Sequence, residues 1–328
     1  MIRLSAGTAA CLGLSANRMD AYPTTAYLLS GNRCLMNCAF CPQGLGKSEA
    51  LNRLGRITWP EYAWAEVGRA LAEAKAKGVE RICLQSVRHS AGLAPLLEQI
   101  QKIKEISHLP LSLSAWIDSM EEAKLVTEAG VERLAISLDV ANPALYRHLK
   151  GGSFERKLEL LLGCAAALPG RISTHLICGL GESEEELIAL AAKLIKAHVT
   201  LALFAFVPLK GTRLEKSEPP ALDHYRRMQA AFYLLREKKI TFNLLKFEQG
   251  RLTNFNLTAH DLIQGLADGE AFRTSGCPGC NRPYYNERPG KTIYNYHRPL
   301  DEKEIEAALG LVIDTVNTGE RSPVAKII

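Results

Sequence analysis

Two hydrophobic periods alternate along this chain, and that alternation is what most restricts its fold. Short apolar runs rich in Val, Ile and Leu fall at residues 24–29, 81–85, 109–115, 133–138, 172–178, 201–207 and 240–245. Between them lie longer amphipathic stretches at 59–77, 94–106, 120–128, 155–167, 183–196 and 222–238. The short runs read as strands of a buried parallel sheet, and the stretches with a period near 3.6 read as helices covering it. Gly78, Gly130 and Gly170 stand where three of these helices need a left-handed closing residue. Ser119 and Ser183 stand at N-cap positions, Ser183 with Glu186 in capping-box register. Units of roughly 30 residues each, repeated at least six times, predict an α/β chain with a TIM-type (βα) barrel, full or nearly full, over residues 23–258. Residues 1–22 form an N-terminal arm. From about Ala259 the pattern gives way to a Gly, Pro and Tyr-rich segment (TSGCPGCNRPYYNERPG) and a last helix near 301–309, so 259–328 reads as a C-terminal tail. In a barrel of this kind the chemistry belongs on the loops that follow the strands.

Composition narrows the setting. The 328 residues are 47% hydrophobic and 23% charged, which excludes disorder over most of the length. No apolar run approaches the roughly 18 residues a membrane helix requires. Ser, Thr and Gly interrupt the early residues, so no signal-peptide core is expected and the mature chain is read as starting near Met1. Nine cysteines, an odd number spread unevenly, do not suggest a disulfide scaffold; a reducing cytoplasm is the expected location. The net charge of +5 is dispersed, with Lys and Arg alternating with Glu along helical stretches such as 98–105 and 182–196. No aromatic-interleaved basic stripe points to nucleic acid, and the balance leans modestly toward acidic partners.

Directly after the first strand candidate comes Gly31-Asn32-Arg33-Cys34-Leu35-Met36-Asn37-Cys38-Ala39-Phe40-Cys41-Pro42. Three thiols at i, i+4 and i+7 on one loop can converge on a metal centre, and soft thiolates select iron–sulfur clusters or zinc. A structural zinc site would want four protein ligands, whereas three cysteines on a cubane leave one iron open. This spacing, with an aromatic before the last cysteine, resembles the radical S-adenosylmethionine superfamily. The resemblance implies that Cys34, Cys38 and Cys41 hold a 4Fe-4S cluster whose open iron chelates S-adenosyl-L-methionine, and that one electron then splits the sulfonium to a 5′-deoxyadenosyl radical able to take hydrogen from an unactivated carbon. It also implies the cofactor contacts. Phe40 matches the aromatic beside the adenine. Ser137 and Asp139 fall where a fourth-strand carboxylate meets the ribose, Gly179, Gly181 and Glu182 form a glycine-rich loop after the fifth strand, and Val207 lies in the sixth-strand segment. Gln85 and Ser86 stand in place of the usual Gly-Gly-Glu that binds the methionine group.

The segment Phe206-Val207-Pro208-Leu209-Lys210-Gly211-Thr212 is similar to biotin synthase, which suggests the sulfur-inserting branch. In biotin synthase a second cluster sits inside the barrel on three strand cysteines and an arginine. Here Cys83 falls on the second-strand position, but Ser112 and Ser114, Ser173 and Lys246 stand at the others, so Cys83 reads as a small buried hydrophobe. Cys164 and Cys178 read as core residues, Tyr284, Tyr285, Tyr294 and Tyr296 as packing the tail onto the barrel, and Lys210 and Arg213 as exposed loop cations. The tail supplies Cys277-Pro278-Gly279-Cys280, by itself a redox pair, half a zinc site or half a cluster site. With its surroundings, and with Gly7-Thr8-Ala9-Ala10-Cys11-Leu12-Gly13-Leu14 at the other end, it resembles the biotin-synthase-like proteins that act in pairs as a lipoyl synthase in archaea and some bacteria. That resemblance implies an auxiliary 4Fe-4S cluster on Cys11, Cys277 and Cys280, with Ser275, Arg282 or His297 as fourth ligand. For the three cysteines to meet, arm and tail would fold over the barrel mouth. The implied function is sulfur insertion at C6 or C8 of a protein-bound octanoyl chain. The implied partners are an octanoylated H protein or lipoyl domain, a companion lipoyl synthase protein and a ferredoxin-type reductant. Two other readings stay open: biotin synthase or another single-cluster member of the superfamily, and a non-catalytic iron–sulfur or zinc redox protein.

Overall fold

The structure, a computed structural model, describes residues 1–31, 33–44, 52–88, 90–287 and 289–316; the last twelve residues of the predicted tail lie outside them. Its centre is an eight-stranded sheet. β1 (Ile2–Leu4), β2 (Thr25–Ser30), a small hairpin β3 (Arg53–Leu54) and β4 (Ile57–Thr58), and β5 (Glu61–Tyr62) come first. They are followed by β6 (Arg81–Ser86), β7 (Leu111–Ser114), β8 (Arg133–Ala135), β9 (Ile172–Cys178) and β10 (Thr200–Ala205). The order across the sheet is β10-β9-β8-β7-β6-β2-β1-β5, parallel from β10 to β2 and antiparallel beyond. Side chains from all six parallel strands line one cavity, so the sheet curls into a barrel wall. Among the described residues β10 pairs only with β9, so the barrel is a partial one, open between β10 and the β2 side.

Six of the seven predicted strands are present. The exception is 240–245, where Phe242–Leu244 makes a 3₁₀ turn and the chain continues into a separate hairpin, β11 (Lys246–Glu248) with β12 (Arg251–Asn254). The predicted helices match α2 (Trp64–Ala72), α3 (Ala94–Ile106), α4 (Met120–Glu128), α6 (Phe154–Ala167), α7 (Glu184–Lys196), α8 (Leu222–Arg236) and α10 (Glu302–Ile313). Ser119 and Ser183 cap their helices, and Gly78, Gly130 and Gly170 have positive φ. The helix expected from residue 59 starts later because Glu61 and Tyr62 pair with β1. Three short helices lacked a long enough periodic stretch to be read: α1 (Ala6–Cys11), α5 (Pro143–Leu149) and α9 (Ala259–Leu266).

The arm and tail do not fold over the mouth as expected. The fully buried run Ile2–Leu4 joins the sheet instead, a better place for apolar side chains than a solvated arm. The tail crosses the opposite, N-terminal end of the strands. There Thr24 N–H donates to Asn281 Oδ1 (2.9 Å) and Arg81 Nε to the Pro278 carbonyl (3.4 Å). It then climbs the open side. Leu203 N–H of β10 donates to Ser275 Oγ (3.0 Å), Tyr225 Oη donates to the Leu203 carbonyl (3.0 Å), and Asn286 Nδ2 donates to the Ala205 carbonyl (2.7 Å). These side chains satisfy backbone groups that an unpaired edge strand would otherwise leave bare. Asn286→Ala should therefore cost roughly 1–3 kcal/mol, because the buried Ala205 carbonyl loses its donor; denaturant unfolding of the two proteins measures it.

Candidate active site

The cysteine loop after β2 is held from several sides. Cys34 N–H donates to the Gln43 carbonyl (3.1 Å), Leu35 N–H to the Arg88 carbonyl (2.7 Å) and Ala39 N–H to the Leu149 carbonyl (2.6 Å). Arg213, expected as a free loop cation, instead donates to the carbonyls of His148 (3.1 Å) and Asn37 (3.4 Å) and ties the loop to α5. So anchored, Cys34, Cys38 and Cys41 all face a cavity of about 330 Å³ inside the barrel. Burial pushes the Cys38 thiol up to about 12, so it is protonated at neutral pH and would lose its proton only to a metal. Among the described residues no three His, Cys, Asp or Glu side chains converge tightly enough for a single ion. Three soft donors on one loop facing one cavity are the donor type that an iron–sulfur cluster takes.

Phe40, Gln85, Ser86, Ser137, Asp139 and Val207 line the same cavity. Gly179, Gly181 and Glu182 do not, and act on its shape from behind. The Glu182 carboxylate accepts from the N–H groups of Gly179 (2.7 Å) and Leu180 (2.9 Å), and Gly179 has φ +99° with Pro220 2.9 Å from where a Cβ would stand. That tight loop ends β9, whose Ile177 does reach the cavity. Asp139, in left-handed backbone at φ 66°, is buried and gripped by Lys150 Nζ (2.6 Å) and His175 Nε2 (2.6 Å). Burial would raise its carboxyl, but Lys150 and the hydrogen bond with His175 outweigh it and hold it well below the usual range.

Sequence reasoning missed Lys150 and His175. His175 was findable, since it alternates with Ser173 and Ile177 on the inner face of β9; Lys150 follows the unforeseen α5 and carried no signal. Near them Trp116 collects cations, with Lys157 Nζ 4.1 Å and the Arg88 guanidinium 4.5 Å from its ring. Burial brings Lys157 down to about 8, helped by Lys150 and Arg88 and opposed by Asp118.

The far end of the cavity holds a second group of thiols, but not the expected one. Cys280 Sγ lies 3.1 Å from Tyr27 Oη, and Cys277 Sγ lies 3.7 Å from Ser112 Oγ. Between them in sheet register stands Cys83, partnered by Tyr27 on β2 and Ser112 on β7. Burial, reinforced by Cys277 and Cys280, pushes the Cys83 thiol up. Cys83, Cys277 and Cys280 line the cavity together, and Cys83 also packs against the apolar cluster of Tyr27, Leu29, Trp59 and Val87, as a small hydrophobe would. Cys11 is not part of that lining: it closes α1, and its sulfur faces the carbonyls of Lys77 (3.7 Å) and Pro23 (3.8 Å). Lys246 is exposed on β11, and the guanidinium groups that line the cavity belong to Arg56, Arg88 and Arg282. Ser275 is used on the β10 edge, and His297 packs on Tyr284, ring centres 5.2 Å apart. Tyr285 lines the cavity, while Cys164 and Cys178 are buried as expected.

A parallel (βα) barrel with a three-cysteine loop after its first parallel strand and a cavity at the strands' C-terminal end is the frame of an iron–sulfur enzyme that works on a bound small molecule. The sequence pattern of the Radical SAM superfamily matches residues 28–194, half of the chain, and the protein belongs to that superfamily. It is 29% identical over 202 residues to the biotin synthase of Synechococcus sp. (strain JA-3-3Ab), covering 58% of this chain and 62% of that protein. It is 27% identical over 190 residues to the GTP 3′,8-cyclase of Peptoclostridium acidaminophilum, covering 56% of this chain and 55% of that one. The chain thus spans between half and two thirds of the length of these relatives. Its fold is similar to methylornithine synthase (TM-score 0.52, 18% identity, 89% of this chain and 82% of that one). It is also similar to the FeFe-hydrogenase maturase HydG from Carboxydothermus hydrogenoformans (TM-score 0.54, 18% identity, 88% and 65%). Among the described residues no helix is long and apolar enough to cross a membrane.

Two outcomes follow from the buried charges. Asp139→Asn strands Lys150 without its counter-charge and should destabilise the fold by roughly 3–5 kcal/mol, read by denaturant unfolding. Lys157 binds its proton less well folded than unfolded, so between about pH 8 and about 10 the unfolded chain holds the extra proton and stability gains with rising pH. The gain should vanish in Lys157→Met, seen as the difference between the two unfolding curves across that window.

Proposed function

We propose that this radical S-adenosylmethionine enzyme inserts sulfur into an unactivated C–H bond of an aliphatic chain, an octanoyl group carried on a protein. The observation that carries the reading is the cavity itself, which has one cysteine trio at the strands' C-terminal end and a second at the floor. Sulfur insertion needs a sulfur source within bonding distance of the carbon that loses hydrogen, and a space lined by thiols at both ends provides for that. When bound, the first cluster with S-adenosyl-L-methionine supplies the hydrogen-abstracting radical, and a second cluster supplies sulfide whose irons take up the electron left when the C–S bond forms. The chain's residues do the rest. Cys34, Cys38 and Cys41 hold the first cluster, Phe40, Ser137, Asp139 and Val207 bound the cofactor's space, and Gln85 and Ser86 lie toward its methionine end. The tail shuts the floor and the open side against water.

The reading brings with it an octanoylated H protein or lipoyl domain as substrate, a companion lipoyl synthase protein and a ferredoxin-type electron donor. The dispersed positive charge suits an acidic carrier. A biotin synthase activity is the second reading, favoured by the relatives that carry that name. Against it, Ser112, Ser173 and the surface residue Lys246 occupy positions where the biotin synthase resemblance would have cluster ligands.

Anaerobic reconstitution with iron, sulfide and S-adenosyl-L-methionine decides between them. Incubation with an octanoyl-lysyl carrier should yield deoxyadenosine and a thiolated octanoyl group by mass spectrometry, while dethiobiotin stays unchanged. Turnover of dethiobiotin would move the assignment to biotin synthase, and cofactor cleavage with sulfur on neither would end the sulfur-insertion reading. Replacing Cys34, Cys38 or Cys41 by Ala should bring deoxyadenosine formation down to background.

A further inference from the structure

We infer that His175 touches the sugar of S-adenosyl-L-methionine through Nδ1, and that Asp139, to which the sequence resemblance gives that contact, orients His175 from behind. The inference rests on membership of the superfamily and is independent of what the enzyme does with the radical. Asp139 is engaged within the protein. Its N–H donates to the His175 carbonyl (2.9 Å) and its own carbonyl accepts from Ile177 N–H (2.8 Å), a short bridge that sets its left-handed backbone against β9. Its Oδ1 lies 2.6 Å from His175 Nε2 and its Oδ2 2.6 Å from Lys150 Nζ, and the residue is 5% exposed. Lys150 is engaged as well. Besides Asp139 it donates to the carbonyls of Ser137 (2.5 Å) and Leu138 (3.4 Å), which uses all three of its protons.

His175 is the member of the trio with hydrogen-bonding capacity left. The Asp139 carboxylate, held ionised, has no proton to give, so His175 Nε2 carries the one between them. Among the described residues the other ring nitrogen, Nδ1, has no hydrogen-bond partner. The side chain is 24% exposed and lines the cavity. Its ring is held from a second side: it meets Phe204 edge-to-face at 5.3 Å, and Phe204 is itself backed by the Tyr285 ring at 5.0 Å and the Arg282 guanidinium at 4.4 Å. An imidazole nitrogen accepts when bare and donates when protonated. A hydroxyl can answer either form, and the hydroxyls of the cofactor are those of its ribose. Phe40 and Ser137, which the resemblance sets beside the adenine and the ribose, line the same cavity.

The test measures binding without turnover. The full chain, reconstituted anaerobically and given neither reductant nor acyl carrier, is titrated by calorimetry with S-adenosyl-L-methionine and with its 2′-deoxy and 3′-deoxy analogues. The wild-type protein should bind at least one analogue about tenfold more weakly than the cofactor, the loss expected for one hydrogen bond. His175→Leu should bind the cofactor about tenfold more weakly and lose that preference. Two near-isosteres separate contact from support, since an asparagine amide falls where Nδ1 stands and a glutamine amide where Nε2 stands. His175→Asn should restore most of the preference, and His175→Gln should not. Circular dichroism checks that each variant is folded; should His175→Leu fail to fold, the Asn and Gln substitutions decide alone. A wild-type protein without the preference, a His175→Leu protein that keeps it, or a His175→Gln protein that retains at least as much of it as His175→Asn overturns the inference. Absence of sulfur insertion by a protein that passes these tests would sink the proposed function alone.

Discussion

The unpaired edge of β10 shapes much of this molecule. Six parallel strands curl but do not close, and the last of them presents its backbone to the gap. The peptide groups of Leu203 and Ala205 must find partners, and Ser275, Tyr225 and Asn286 supply them. Once Ser275 and Asn286 are fixed to β10, the ten residues between have to cross the open side, and they bring Cys277, Cys280, Arg282 and Tyr285 into the barrel with them. An edge that invites association in other sheets is covered here by a segment that sends four side chains into the interior.

The second ordering influence is charge in a space of low polarity. Asp139 holds Lys150 and His175, and Lys150 also donates to the Ser137 carbonyl at 2.5 Å, so the β8 exit and the loop after α5 are fixed to each other at the cavity wall. Asp139 lies inside the barrel, where its charge has little water to screen it, and the Lys150 ammonium together with the His175 hydrogen bond is what makes its burial tolerable. The same reasoning separates Arg81 from Arg282. Arg81 reaches Glu132 (2.9 Å) and Ser112 Oγ (3.0 Å) and is structurally complete. Arg282 donates from Nη2 to the Ser275 carbonyl and stacks 4.4 Å from the Phe204 ring, and among the described residues it forms no ion pair with a carboxylate.

Much of this could be read before any coordinates. The alternation of hydrophobic periods located all six parallel strands and the seven longer helices, and the spacing of Cys34, Cys38 and Cys41 located the mouth of the site. What escaped was non-local. Residues 240–245 look like a strand because Ile240 and Leu245 are buried, yet no strand edge is free to receive them after Ser275 has taken the β10 side. Cys11 lies away from the cavity and Cys83 lines it for a related reason. The arm's Ile2–Leu4 run is drawn into the sheet, which leaves Cys11 against the Pro23 and Lys77 carbonyls, whereas β6 aims Cys83 inward. No local pattern distinguishes a strand cysteine that faces a core from one that faces a cavity.

The position of the floor thiols also bears on how radical chemistry could be contained. A carbon radical inside a barrel is safe only where water and stray donors are absent and the intended partner is the nearest reactive atom. At the mouth the cations Arg88, Lys150 and Lys157 surround Trp116 and give polar species a place to be held. Deeper in the cavity the strands contribute Ala135, Ala202 and Phe204 with the short hydroxyls of Ser114 and Ser173. A chain entering from the mouth would have its far carbons near Cys83, Cys277 and Cys280 and its tethered end near the solvent. On the sulfur-insertion reading proposed above, that path would pass the cysteine loop first and the floor thiols last.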